Sequence, residues 1–194
     1  MKARCNNMHD RSLGDGVYYD SQDYASFIRR IGVIVIDSVV LVFLSIVLWS
    51  TLLVVYDEFG FTDDPVRLFS VLAALGVWLY SVPLKRSRFR TVGYRVLGLM
   101  IVATKGGPPS LLTMTFRSLL WLFGPFNFLL DLAWLGADTE GQTLRDCYAG
   151  TYVVRNGACP IGTAPMRLTR YNGAGLTLAY PRVCRPSKDS PLAE

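Results

Sequence analysis

Ile31 to Val55 reads IGVIVIDSVVLVFLSIVLWSTLLVV, 25 residues that carry one charge, Asp37. An apolar run of about 20 residues is long enough to cross the hydrocarbon core of a bilayer as a helix. A carboxylate inside such a helix costs on the order of 2.5–3.5 kcal/mol on insertion scales, so it calls for a partner or a task. Arg29 and Arg30 stand just before the run. Arg30 precedes Asp37 by seven residues, two helical turns, which puts both on one face about 10 Å apart along the axis. The stretch predicts an integral membrane protein with a polar seam.

Outward from this run, residues 1–23 are polar and mixed in charge, and they read as a flexible arm. Tyr24 to Arg30 leads into the membrane, with Tyr24 and Phe27 at headgroup level. Beyond Val55, Asp57, Glu58, Asp63 and Asp64 make an acidic loop that ends at Pro65. Leu68 to Leu84 reads as a second span, with Trp78 and Tyr80 as an aromatic anchor near its end. Lys85, Arg86, Arg88, Arg90, Arg95 and Lys105 follow with no acid among them. Short loops rich in Lys and Arg stay cytoplasmic. The predicted topology has the N-terminus inside, residues 57–66 outside and residues 85–110 inside a plasma (inner) membrane.

Leu111 to Leu135 is a third apolar stretch, interrupted by Arg117, Gly124-Pro125 and Asp131. Irregular backbone at membrane depth is tolerated where protein buries it. A broken or re-entrant segment is therefore preferred to a straight span, and it returns both termini to the cytoplasm. Arg95 to Thr104 (RVLGLMIVAT) reads either as a strand or as an interfacial segment, and Thr151 to Arg155 is strand-like, a candidate partner for the Val96–Ala103 region. Residues 156–194 form a tail rich in Gly, Pro and Arg. The predicted fold class is all-α and multi-pass. It has two clear transmembrane helices at about 31–55 and 68–84, a broken membrane segment at about 111–135, and a small cytoplasmic β element. The membrane domain covers residues 24–155.

Composition agrees with a membrane part joined to wet segments: 51% of residues are hydrophobic and the mean hydropathy is +0.30. A net charge of +5 reads as topology and lipid-headgroup charge, with no motif for nucleic acid. The four cysteines, Cys5, Cys147, Cys159 and Cys184, have no zinc-like spacing, and His9 is the only histidine. No metal or cofactor is expected, and the cysteines read as reduced thiols facing the cytoplasm. Gly93 and Gly98 fit neither phosphate-loop pattern, and no Ser/His/Asp set can form. An enzyme is not expected. The apolar run starts too late and is too long for a signal peptide.

The polar seam consists of Arg30, Asp37, Arg117, Asp131 and Asp146. Asp37 is either a proton or cation site or a structural acid paired with Arg117 or another base. Arg30 either snorkels to the inner headgroups or meets Asp146 there. A hairpin about Gly124-Pro125 would bring Arg117 and Asp131 together; otherwise Arg117 sits at the interface. Asp146 follows Thr143 and caps or orders the turn before Ala149-Gly150-Thr151.

Four blocks in order resemble the RDD family of membrane proteins, named for one arginine and two aspartates. FIRRIGVIVID, Phe27 to Asp37, places Arg30 and Asp37 at the arginine and first aspartate. TVGYRVLGLMIV, Thr91 to Val102, is similar to the family's T-x-G-K-R-x-x-G-x-x-V, with Tyr94 where lysine is usual. FRSLL, Phe116 to Leu120, is similar to its internal arginine segment. LRDCYAGTYVV, Leu144 to Val154, resembles H-D-x-x-A-G-T-x-V, with Asp146 as the second aspartate and Arg145 in place of histidine. The resemblance implies a multi-pass membrane protein. Transport has been proposed for the family, and some members are linked to sodium/proton exchange. Two or three membrane segments are few for a closed pathway, so transport of a small ion or solute would call for a homo-oligomer or a larger membrane complex. The competing expectation is a non-catalytic scaffold or assembly subunit. The lipid bilayer is a partner in either case.

Overall fold

The computed structural model describes residues 13–61, 63–120, 142–173 and 176–184. The chain divides into two compact units, residues 26–99 and residues 1–25 with 100–194.

The unit of residues 26–99 is helical. Its first helix, α1, runs Phe27–Phe59, 33 residues or about 50 Å. It outruns the apolar stretch at both ends, because Tyr56, Asp57 and Glu58 continue the helix in polar company. Gly60 stops it with φ of 62°, a left-handed turn that favours glycine. The amides of Gly60 and Phe61 then donate to the carbonyls of Asp57 and Tyr56. Asp64 starts the next helix, α2 (Pro65–Leu79), by accepting the Val66 amide at 2.9 Å. Pro65 fits the first turn, where a missing N–H is harmless.

Trp49 and Phe69 join α1 to α2, edge to face at 5.1 Å. Most of both helices stays uncovered: Val39, Phe43 and Val71 are each more than 60% exposed. An apolar surface of this extent is stable when lipid solvates it. After Leu79 the helix widens into a π turn, Tyr80–Leu84, that contains Pro83. A proline cannot donate to the ladder, and its ring collides with the carbonyl four residues back; the wider turn makes room. The helix α3, Val92–Val96, closes the unit.

The other unit contains most of the strands. β1 (Asp15–Tyr18), β4 (Gly162–Gly173) and β5 (Leu176–Val183) form one antiparallel sheet in the order β1-β4-β5. β2 (Leu99–Ala103) pairs with β3 (Thr151–Arg155) in a second, as RVLGLMIVAT and TYVVR led one to expect. Among the described residues, helices α4 (Leu111–Leu119) and α5 (Leu144–Ala149) also belong to this unit. The fold is therefore not all-α: three-stranded and two-stranded sheets stand beside the helices. The strands that overturn that expectation fall in stretches read as a flexible arm and a tail. Four residues of β1, or a strand that contains Pro165, carry too little periodicity to betray a partner so far along the chain.

The N-terminal segment is stitched to both sheets. Asp15 to Tyr18 pair with Pro165 to Gly162, and the Val17 amide donates to the Thr104 carbonyl at 2.8 Å. Tyr24 bridges Val154, with Ala25 donating to Val153 and Arg155 to Asp23. A Cβ on Gly16 would lie 2.5 Å from the Val183 side chain, so only glycine permits this approach. The core gathers Tyr19, Tyr24, Val102, Tyr152, Val154, Ala164, Met166 and Val183. Its three tyrosine rings meet edge to face at 5.5 to 6.4 Å. The Tyr24 hydroxyl accepts the Tyr19 amide at 3.1 Å. Burial, and secondarily Cys159, push the Tyr19 hydroxyl above its usual range.

Among the cysteines, Cys147 is a buried free thiol and Cys159 an exposed one, but Cys184 is in a disulfide, against the expectation that all are reduced. Tyr152→Ala, which empties the centre of the tyrosine cluster, should cost about 3–5 kcal/mol. The check is thermal unfolding in detergent followed by tryptophan fluorescence, with a clear fall in Tm as the expected result.

Candidate functional site

Among the described residues, each unit buries a polar cluster. In the helical unit the centre is Asp37, which is 8% exposed. Its Oδ1 accepts the Tyr80 hydroxyl at 2.9 Å and the Gly93 amide at 2.8 Å. Its Oδ2 accepts the Thr91 hydroxyl at 2.8 Å. The Tyr80 oxygen in turn accepts the Val92 amide at 3.2 Å. One carboxylate thereby ties α1 to the π turn and to the start of α3, and none of its three donors is charged.

Gly93 is required here by space. A Cβ at that position would lie 2.8 Å from Asp37 Oδ1 and 2.8 Å from the Val33 carbonyl. The backbone of α3 can approach α1 only because no side chain intervenes. The π turn matters in the same way, because Tyr80 is buried in it, whereas the sequence marked Tyr80 as an interfacial anchor. Tyr94, which follows Gly93, carries the Lys85 ammonium over its ring at 4.8 Å, a cation–π contact.

In the other unit the centre is Asp146. Arg117 Nη2 lies 2.6 Å from its Oδ1, with the arginine side chain 10% exposed and the aspartate fully buried. Arg117 Nη1 also donates to the Thr151 hydroxyl at 3.3 Å. Asp146 and Thr143 form a capping box at the start of α5: each side chain accepts the other's amide, both at 3.3 Å. Gly150 ends α5 with φ of 59°, and Thr151 opens β3 directly after it. The run Thr143 to Thr151 is thus a cap, one and a half turns of helix, a left-handed stop and a strand. An ion pair from α4 locks it. Gln142 adds a bond to the Thr151 carbonyl at 3.0 Å.

The structure brings Arg117 and Asp146 together. Arg30 lies in the first turn of α1. Asp131 lies outside the described residues. Asp37 does not meet a base in its cage, as a structural acid was expected to; it meets hydroxyls and an amide. Sequence reasoning missed Tyr80, Thr91 and Gly93 as its partners. The signal present was Thr91-Val92-Gly93, a hydroxyl and a bare backbone one residue apart. Among the described residues no group of three or more His, Cys, Asp or Glu could hold a metal ion.

A sequence model of the RDD family matches residues 24–150, about two thirds of the chain. The chain belongs to the RDD family. Comparison with curated proteins and with solved structures yields no significant match. The matched region contains Arg30, Asp37, Arg117 and Asp146. RDD membership, together with two helices long and apolar enough to cross a bilayer, makes this a membrane protein. In this RDD chain both aspartates are the centres of buried hydrogen-bond clusters.

Asp37→Asn keeps the shape of the side chain but turns an NH2 towards one of the donors. Leaving a buried donor unmet costs about 1–3 kcal/mol. Gly93→Ala should destabilise by forcing α3 away from α1. Because both act on one contact, the double variant should lose less stability than the two single losses added together. Tm values of the four proteins in one detergent provide the check.

Proposed function

We propose that this RDD protein is a non-enzymatic membrane scaffold, anchored in the bilayer by two spans. The observation that carries this reading is the occupancy of Asp37: both of its oxygens already accept hydrogen bonds from its own unit, and all three donors come from the chain beyond α1. Such a carboxylate works as a clasp. Asp146, engaged by Arg117 and by its capping box, has the same character. A scaffold of this type presents lipid-facing helices to a second copy or to a larger membrane complex.

Transport of a small ion or solute is the second reading, and one specific observation favours it. The donors to Asp37 are all neutral, so its cage holds a carboxylate without a cation to balance it. Carboxylates at membrane depth mark ion routes elsewhere. Reconstitution into liposomes with an internal pH-sensitive dye separates the two. The scaffold reading expects the same proton flux as empty liposomes under sodium, potassium or lithium gradients. A cation-dependent flux that Asp37→Asn abolishes while Tm changes little would replace it with the transport reading.

For orientation we take the six bases between residues 84 and 110 as the stronger guide, which sets that segment in the cytoplasm and residues 57–66 outside. The disulfide at Cys184 pulls the other way, because disulfides persist in oxidising compartments. Impermeant maleimide on whole cells decides. A cysteine placed at Thr62 should react and one placed at Ser87 should not, and the reverse pattern inverts the topology.

A further inference from the structure

Helix α4 has its faces reversed. Its one charged residue, Arg117, is buried against Asp146 and Thr151, and Met114 is buried beside it. Its outward face is apolar: Leu112 is 82% exposed, Leu119 51%, Phe116 48% and Leu111 44%. Leu112, Phe116 and Leu119 recur at the i, i+4, i+7 spacing of a single stripe. On a helix bathed in water the arginine would face out and the leucines in.

We propose that α4 is an interfacial membrane helix whose Leu112–Phe116–Leu119 stripe is seated in lipid, and that the Arg117–Asp146 pair exists to turn the arginine away from that lipid. Two observations favour the bilayer as the occupant. First, α4 belongs to a unit that is joined by the backbone to both ends of the span-bearing segment, at Ala25 and at Met100, so this unit is tethered at a membrane. Second, the sequence that follows α4, Trp121-Leu-Phe, continues the apolar character. Ser110 caps the helix by accepting the Thr113 amide at 3.0 Å, and Lys105 stands on the approach, where a base meets phosphate headgroups.

This gives the second family aspartate a physical task. Asp146 neutralises and holds a cation that would otherwise point into the acyl chains. The inference rests on the chain being a membrane protein and is independent of whether Asp37 conducts ions.

The test uses the full chain in liposomes of phosphatidylcholine and phosphatidylglycerol. A nitroxide is introduced through p-acetylphenylalanine at Leu112 or Phe116, which leaves every cysteine in place. Phe43, in the middle of α1, is the lipid control, and Phe61, in the loop after α1, is the water control. Collision with oxygen and with a water-soluble nickel chelate is read by power saturation. Labels at 112 and 116 should collide several-fold more with oxygen than with nickel, at a depth about 5–10 Å into the headgroup boundary. Nickel-dominated collision at both sites, as at Phe61, overturns the proposal. Shielding from both reagents also overturns it, in favour of a protein partner or a second copy. A Phe43 label that itself reads as water-facing would instead defeat the membrane reading, so the two failures are distinguishable.

Discussion

A carboxylate placed among hydrocarbon side chains has to be met by donors, and the helical unit is arranged around meeting Asp37. The π turn at Tyr80–Leu84 carries one hydroxyl to it, Thr91 supplies a second, and the bare backbone of Gly93 comes close enough to give an amide. Remove the carboxylate and the hydrogen bonds from Tyr80, Thr91 and Gly93 go with it. Van der Waals packing between helices has little hydrophobic drive behind it in lipid. Charge-assisted hydrogen bonds, at about 1.5–3 kcal/mol each, are therefore an economical way to define where the chain goes after its second span.

The same logic operates outside the spans with different chemistry. Asp146 is fully buried and has a cation as its partner, where Asp37 has only neutral donors. Pairing a buried carboxylate with arginine is weak evidence for stability, since desolvating both ions offsets most of the attraction. Its effect is directional: the fork of Arg117 reaches both Asp146 and Thr151, so it fixes α4 against the junction of α5 and β3. Direction, more than energy, accounts for an ion pair in this place.

Part of the fold is legible in the chain. The 25-residue apolar run marks α1, the run from Leu68 after the acidic loop marks α2, and in the other unit Asp146 after Thr143 marks the cap of α5. The partners of Asp37 are not legible, because Tyr80, Thr91 and Gly93 follow it by 43, 54 and 56 residues and bear no charge. Charge complementarity pointed to a base, and hydroxyls leave no comparable trace. The three-stranded sheet escaped for a related reason. β1 is four residues long and its partner β4 is almost at the other end of the chain, so local pattern says nothing of the pairing. β2 and β3 were within reach because each is a compact β-branched run, Leu99 to Ala103 and Thr151 to Arg155.

The pairing of β1 with β4 also sets an order of events during synthesis. Gly162 leaves the ribosome about 140 residues after Tyr18, which at roughly 5–20 residues per second is on the order of 7–30 s later. For that interval β1 is a strand without a neighbour, while α1 and α2 have already been made. Synthesis of both spans therefore precedes closure of the sheet. The shortness of β1 helps here: four residues with Asp15 and Gly16 offer little edge for a stray strand to join.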